Sequence, residues 1–154
     1  MKFSTRCRYA TLALFDLAFS NENAPAQVRQ IAKRQNIPLR FLEQIFQDLK
    51  RADLVDGKRG RNGGYVLNRH PRDIHLKHII DATEGRGEQR NSSKPHAIAP
   101  EYSTLDAQTV HDELWHEISE RIYKIYAEYT LADLVQRAED AGLSRGAPGY
   151  MYFI

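Results

Sequence analysis

The chain has 154 residues, of which 42% are hydrophobic and 27% charged, and its formal net charge is +2. That length fits one domain, or one small domain with an appendage, and is enough to bury a core without covalent staples. A single cysteine, Cys7, excludes an intrachain disulfide and suits a reducing, cytoplasmic setting. No apolar run of roughly 18 residues occurs, so no membrane span is expected. The N-terminus leads into a helix-like pattern broken by Asp16 rather than into a signal-peptide core.

The small net charge hides an asymmetry. Residues 1–85 hold 15 Lys/Arg against 9 Asp/Glu, whereas residues 86–154 hold 7 against 11. The excess lies within residues 1–61, with 12 basic against 6 acidic residues. A basic front half points to a polyanionic partner; ordinary solvated surface is the plainer alternative.

In chain order, Tyr9, Leu12, Ala13 and Leu17 are spaced for a buried helix over 5–19, broadened by Ala10, Leu14 and Phe15. Asn21 to Pro25 reads as a loop. Val28, Ile31 and Ala32 give one face of a short second helix, and Asn36-Ile37-Pro38 a tight turn. Pro38 suits the first position of a third helix marked by Leu39, Leu42, Ile45, Phe46 and Leu49. Two short helices joined this way form the helix-turn-helix pattern, a weak signal alone.

The continuation sharpens it. Leu54-Val55-Asp56 and Tyr65-Val66-Leu67 read as short strands around a glycine-rich tip that carries Lys58, Arg59 and Arg61. Asn62-Gly63 is a hairpin-turn signal. The unit has the form of a wing, a β-hairpin that sets basic side chains beside a nucleic-acid groove. The glycines imitate a phosphate loop, but no Gly-Lys-Ser/Thr follows and the strand–loop–helix order is missing.

A further helix starts near Ile74, carries Ile79, Ile80 and Ala82, and ends at Gly85. Residues 85–103 are polar and read as an exposed loop. A long helix then reaches about Tyr129, with Val110, Leu114, Ile118, Ile122, Ile125 and Tyr129 spaced by 4, 4, 4, 3 and 4. That stripe is too long for a small winged domain to cover. The same helix of a second copy would cover it, through Leu114, Ile118, Ile122 and Ile125; burial within one subunit is the alternative. Thr130 caps a short helix, with Asp133 in a capping-box position.

The resulting expectation is a mainly α fold with a small β-hairpin wing. A winged helix-turn-helix domain spans 1–84, an exposed loop 85–103, a dimerisation helix and short capping helix 104–141, and a tail 142–154. The tail holds Gly142, Gly146, Pro148 and Gly149, then the apolar run Tyr150, Met151, Tyr152, Phe153 and Ile154. Such a run either folds back onto its own chain or enters a partner, and capture of a C-terminal carboxylate is a known recognition mode.

The strings Ser4-Thr5-Arg6-x-Arg8-Tyr9-Ala10, Phe41-Leu42-Glu43-Gln44-Ile45-Phe46 and Arg59-Gly60-x-x-Gly63-Gly64-Tyr65 carry a resemblance. So do Glu113-Leu114-Trp115 and Thr130-Leu131-x-Asp133-Leu134. Together they resemble the small bacterial winged-helix regulators typified by the iron–sulfur regulator IscR and the cysteine-metabolism repressor CymR, over nearly the whole chain except residues 86–108. The resemblance implies a cytoplasmic, homodimeric transcriptional regulator of double-stranded DNA rather than an enzyme. A recognition helix near 38–51 would enter the major groove and the wing the neighbouring minor groove.

Within that frame the candidate DNA-binding residues are Arg6, Arg8, Arg40, Phe41, Glu43, Gln44, Lys58, Arg59 and Arg61. Arg40 and Gln44 lie one turn apart, suited to guanine and adenine, and Glu43 to cytosine N4. Each is otherwise a surface polar residue, Glu43 also an intrahelical partner of Gln47 or Lys50. Arg59 and Arg61 are favoured because the turn exposes them. Arg6 and Arg8 either clamp phosphates at a helix start or are simply solvated.

Cluster-binding members carry three cysteines before the long helix. Here Asn91, Ser92 and Ser93 offer no thiolate, so no iron–sulfur cofactor is expected. No metal site is assigned either: His75 and His78 are three apart, His111 and His116 five apart, and His96 sits in the loop. Residues 150–154 are similar to the C-terminus of the cysteine-repressor branch, which implies O-acetylserine sulfhydrylase as the tail's partner and repression of cysteine and sulfur-assimilation genes. Two departures leave other effectors open: residues 85–110 are longer than in that branch, and Cys7, a candidate redox thiol or a buried structural one, replaces a residue that is often glycine. A protein-interaction module without DNA binding is the alternative of another class.

Overall fold

The computed structural model describes residues 4–20, 24–85 and 107–143; residues 86–106 and the tail from 144, where the cluster-loop and C-terminal expectations fall, lie outside them. In order the elements are α1 (Thr5–Ser20), α2 (Val28–Arg34), α3 (Leu39–Arg51), β1 (Val55–Lys58), β2 (Gly64–Leu67), a 3-10 turn (Pro71–Asp73), α4 (Leu76–Glu84), α5 (Ala107–Glu128) and α6 (Leu131–Asp140). This is a helical fold with one two-stranded antiparallel hairpin, the winged-helix architecture expected from the sequence.

The core is built around α1. Ala10, Ala13, Leu14, Phe15, Leu17 and Phe19 are all buried, so the helix is apolar around most of its circumference. It packs against α2, α3, α4, α6 and β2, with Ile31, Leu42, Ile45, Phe46, Leu49, Ile79 and Leu131 closing the same core.

Asp16 does not break α1, as the sequence suggested. It is fully buried on the helix. Its carboxylate accepts from Arg34 Nε and Nη2 at 3.0 and 2.5 Å and from Gln35 Nε2 at 2.9 Å. A bidentate guanidinium and an amide replace the water that a buried carboxylate loses. The same bonds lock α2 against α1.

The turn after α2 is a left-handed helix end. Asn36 has φ 52°, and Ile37 N–H donates to Ala32 O at 2.9 Å, the six-residue closure of a Schellman motif. Asp53, at φ 59°, ends α3 the same way, with Leu54 N–H donating to Leu49 O at 3.0 Å. Pro38 stands one residue before α3, at φ −58° and ψ 123°, rather than at its first position. Its carbonyl accepts the first two helical bonds, from Phe41 and Leu42.

The hairpin also differs from expectation. Its strands run 55–58 and 64–67, with Lys58 opposite Gly64. The connection is therefore the five residues 59–63, shorter than the glycine-rich stretch 57–64 expected between the strands. The positive φ, 115°, falls on Gly60, and Gly63 N–H donates to Gly60 O at 2.9 Å. A third segment joins the sheet: Ala26 and Tyr65 exchange N–H···O bonds of 2.9 and 2.8 Å.

Helix α4 begins at Leu76, two residues beyond Ile74, which is buried in the preceding connection. Leu131 N–H donates to Ile74 O and Leu76 N–H to Tyr129 O, at 2.8 and 2.9 Å, tying the α5–α6 corner to the start of α4. The capping box at α6 is present: Asp133 N–H donates to Thr130 Oγ1 at 3.2 Å, and Thr130 N–H to the Asp133 carboxylate at 2.7 Å. The Thr130 N–H, and the Thr130 hydroxyl that donates to the same carboxylate at 2.7 Å, hold the Asp133 carboxyl below the usual range. Helix α5 leans on α4, where Tyr123 Oη donates to Asp81 at 2.6 Å, yet none of its residues is buried. No helix among the described residues is long and apolar enough to cross a membrane.

Candidate nucleic-acid interface

Helix α3 buries Leu42, Ile45, Phe46 and Leu49 and turns Arg40, Glu43, Gln44, Gln47 and Arg51 outward. Arg40, Gln44, Gln47 and Arg51, spaced by 4, 3 and 4, form one polar stripe along the helix. The first part of such a helix is the part that reaches base edges in helix-turn-helix proteins. Arg40, Glu43 and Gln44 occupy that part, with donors and acceptors suited to base edges.

Phe41 is placed differently. Its ring is half-buried and edge-on to Tyr9 of α1, with centroids 5.7 Å apart and planes at 86°. It sets the height of the recognition helix on α1 more than it offers a surface to DNA.

In the wing, Arg59 and Arg61 are exposed within the five-residue tip. Lys58, at the end of β1, is held by Asp56 at 2.9 Å. That bond and the Gly57 N–H at 2.8 Å keep the Asp56 carboxyl below the usual range. The tip's geometry is enforced sterically. A Cβ on Gly63 would lie 2.4 Å from Lys58 O, and one on Gly64 2.4 Å from Ala26 O. The Gly64 contact fixes the wing to the strand-like residue that leads into α2, the first helix of the helix-turn-helix pair.

Arg6 is neither free nor simply solvated: it is half-buried and ion-paired with Asp48 of α3, which also pairs with Arg51. The residues that sequence reasoning missed here are Gln47, Asp48 and Arg51. Asp48 carried a weak signal, as one of two acids, with Glu43, in a helix whose other polar residues are basic or amide. Arg8 is exposed on α1, at the edge of an apolar hollow of about 300 Å³ lined also by Cys7, Leu12, Leu76, Ile80 and Leu134.

Cys7 is buried, and burial, with Glu84 nearby, pushes its thiol pKa up. A reactive thiol needs the opposite environment. His75 N–H donates to His78 Nδ1 at 3.2 Å, so that ring closes the start of α4. Among the described residues no three His, Cys, Asp or Glu side chains are grouped to hold a metal. On α5, Val110, Leu114, Trp115 and Ile125 are exposed, as is Tyr129 just beyond its end, while Ile118 and Ile122 are half-buried.

An exposed recognition helix beside a basic wing defines a winged helix-turn-helix DNA-binding protein. A family profile described as Rrf2, iron-dependent transcriptional regulator, matches residues 3–137, and the chain belongs to that family. It is 37% identical to the HTH-type transcriptional regulator IscR of Cereibacter sphaeroides over 139 residues, covering 88% of each protein. Among solved structures it is similar to IscR of T. potens, with a TM-score of 0.72, 32% identity, and coverage of 99% of this chain and 97% of that one. It is also similar to CymR, the global cysteine regulator of B. subtilis, with a TM-score of 0.68, 31% identity, and coverage of 89% and 98%. These relatives are transcriptional regulators and not enzymes, and DNA binding is the activity that the family and the interface share.

Proposed function

We propose that the chain is a homodimeric repressor of cysteine and sulfur-assimilation genes, controlled by capture of residues 150–154 by O-acetylserine sulfhydrylase. The dimer is supported by the apolar face of α5, much of which is exposed among the described residues. A two-fold axis through paired α5 helices sets two recognition helices on two half-sites of a pseudo-palindrome. The cysteine branch is supported by the aromatic run ending in Ile154, together with the likeness to CymR.

The chemistry of the capture is simple. An enzyme site built for an amino-acid carboxylate accepts a terminal isoleucine carboxylate, and the aromatics add about 1.5–3 kcal/mol per fully buried side chain. O-acetylserine competes for that site, so abundant cysteine, which leaves little acetylserine, keeps the two proteins engaged.

The donor set does not fit the iron–sulfur cluster that the family's description brings to mind. Such clusters are held by several thiolates, and the sequence has one cysteine, buried and with its thiol pKa raised. A second reading, a regulator of other genes with a small effector, is favoured by one feature, the apolar hollow beside Cys7.

Calorimetric titration of the sulfhydrylase with the full chain, and with a chain lacking residues 150–154, tests the branch. Micromolar or tighter binding that needs the tail and is competed by O-acetylserine supports it. No binding by the full chain rejects it and moves the search to the hollow beside Cys7. DNA contact by the wing is tested separately: Arg59→Glu should lower affinity for duplex DNA and flatten its salt dependence.

A further inference from the structure

We propose that Arg6 and Arg51, tied together by Asp48, form a DNA-backbone phosphate site at the C-terminal end of the recognition helix. Asp48 is its positioning residue. The inference rests on the DNA-binding reading of α3 and adds a site to it.

The observation is a carboxylate shared by two arginines from different elements. Asp48 is 10% exposed at its side chain. One of its oxygens accepts from Arg6 Nη2, in the first turns of α1, and the other from Arg51 Nη2, in the last turn of α3. Arg51 Nε also donates to Gln47 O at 3.4 Å. One acid therefore holds two cations, and the group keeps a net positive charge.

Each guanidinium has five N–H donors in a rigid fork, and a carboxylate oxygen satisfies one. The Arg6 and Arg51 side chains remain 34% and 77% exposed, so the unused Nη donors stay open to solvent, although Arg6 Nε itself is buried. Arg6–Asp48 by itself is a plausible brace between α1 and α3. Arg51–Asp48 adds less to that brace, because the Arg51 side chain is 77% exposed and solvent screens its half of the pair. What the second pair does is fix the direction of a long side chain that would otherwise sample many rotamers.

The surroundings fit a tetrahedral anion. Arg6, Gln44, Gln47, Asp48 and Arg51 line an open surface cavity of about 440 Å³. Its lining offers guanidinium and amide donors, with one acid already occupied by its arginines. Position decides between phosphate and base. Arg51 lies eleven residues beyond Arg40, roughly 16 Å along the helix at 1.5 Å per residue. The major groove is about 12 Å wide. With Arg40 and Gln44 at base edges, the far end of α3 reaches the groove wall, where the backbone runs. Backbone contacts of this kind set register and orientation rather than sequence.

The test exploits a sign. A carboxylate near DNA repels it, so simple electrostatics has Asp48→Asn bind more tightly. If Asp48 aims the two arginines, that isosteric change weakens binding even though it removes a negative charge. Binding of the full-length protein to a mixed-sequence duplex long enough for two half-sites would be followed by fluorescence anisotropy across a salt series. The expected result is a several-fold loss for Asp48→Asn. Arg51→Gln should weaken binding and reduce the salt slope by about one. Because Arg51 is exposed, that variant keeps the fold and stands whether or not Asp48→Asn is stable. Wild-type binding with an unchanged slope in Arg51→Gln, or with equal or tighter binding in a folded Asp48→Asn, overturns the site while leaving DNA binding intact. Failure of the wild type to bind any duplex overturns the DNA-binding reading and this site with it.

Discussion

Helices α1 and α5 are both long, and both carry aliphatic and aromatic residues at helical spacing, yet they end in opposite environments. On α1 even an aspartate is fully buried, and six apolar residues from Ala10 to Phe19 are inside. On α5 no residue is buried: Val110, Leu114 and Ile125 are 54%, 56% and 50% exposed. The contrast separates two ways of completing a hydrophobic face. Helix α1 finds cover in its own chain, from five other elements. Helix α5 finds α4 along part of its length, and the rest of its stripe stays exposed among the described residues.

The sharpest way to break the α1 side is to remove the partner of its buried acid. Arg34→Ala leaves Asp16 in the core with only Gln35 to hold it. Breaking a buried pair on one side costs about 3–5 kcal/mol, because the remaining charge has lost both water and partner. Urea denaturation should show a loss of unfolding free energy of that size. A loss below about 1 kcal/mol would mean that Asp16 is not held as described.

The α5 side breaks differently. Leu114→Glu combined with Ile125→Glu places charges on an exposed face, so a single subunit should keep its stability to within about 0.5 kcal/mol. Under the proposed dimer, the same pair of changes should give a monomer by sedimentation. Affinity for a two-half-site duplex should fall by about 10²-fold, since the second half-site is no longer tethered. An unchanged sedimentation coefficient would remove α5 as the dimer interface.

Much of this contrast is readable in the sequence, and the parts that are not have physical reasons. The stripe on α5 shows because a helix with one apolar side leaves an unambiguous period. Helix α1 shows differently, as apolar residues around most of the helix, and there Asp16 misleads: pattern alone treats a buried acid as a break, and its partners, Arg34 and Gln35, lie 18 and 19 residues away. Asn36 and Asp53 end helices in the left-handed region. They signal this weakly, since asparagine and aspartate are as common in other turns. Asn62-Gly63 is a strong local signal for a two-residue hairpin, yet the sheet overrides it. The close approach of Ala26 O to Gly64 is a tertiary contact that no local window contains. Among the candidate interface residues, Arg40, Glu43, Gln44, Arg59 and Arg61 are exposed as expected from helix phase and turn position. The sharing of Asp48 between Arg6 and Arg51 depends on how α1 crosses α3, which spacing within either helix does not encode.

The contact between β2 and Ala26 gives a smaller test, of how the wing is joined to the segment that leads into α2. Gly64→Ala should destabilise the protein by about 1–3 kcal/mol, the usual range for forcing added volume against packed atoms. The added methyl meets backbone, the Ala26 carbonyl at 2.4 Å, and backbone cannot rotate away. The comparison variant is Gly57→Ala, whose Cβ would find its nearest neighbour, Lys50 Nζ, at 3.6 Å. Thermal unfolding should separate the two, with the loss confined to Gly64→Ala.

The smallest expected effect lies where α4 supports α5, and it depends on pH. Burial, then the neighbouring His75, Lys77 and Arg69, pull the His78 pKa below its ordinary value, against a weaker opposite pull from Asp81. The unfolded chain therefore takes up this proton at higher pH than the folded one. The stabilisation that His78 contributes is fully present above about pH 6.5, its unfolded value, and is lost as pH falls through the lower folded value. The geometry gives the same sign, because Nδ1 accepts the His75 N–H and a proton there removes the acceptor. Glutamine is the informative replacement. At the third position of a helix its carbonyl can reach back to the same N–H and it does not titrate. His78→Gln should leave stability at neutral pH nearly unchanged and make its decline below about pH 6.5 shallower than in the wild type. Parallel pH profiles for the two proteins would mean that the loss belongs to other histidines and that the start of α4 is not the acid-sensitive end of the α5 support.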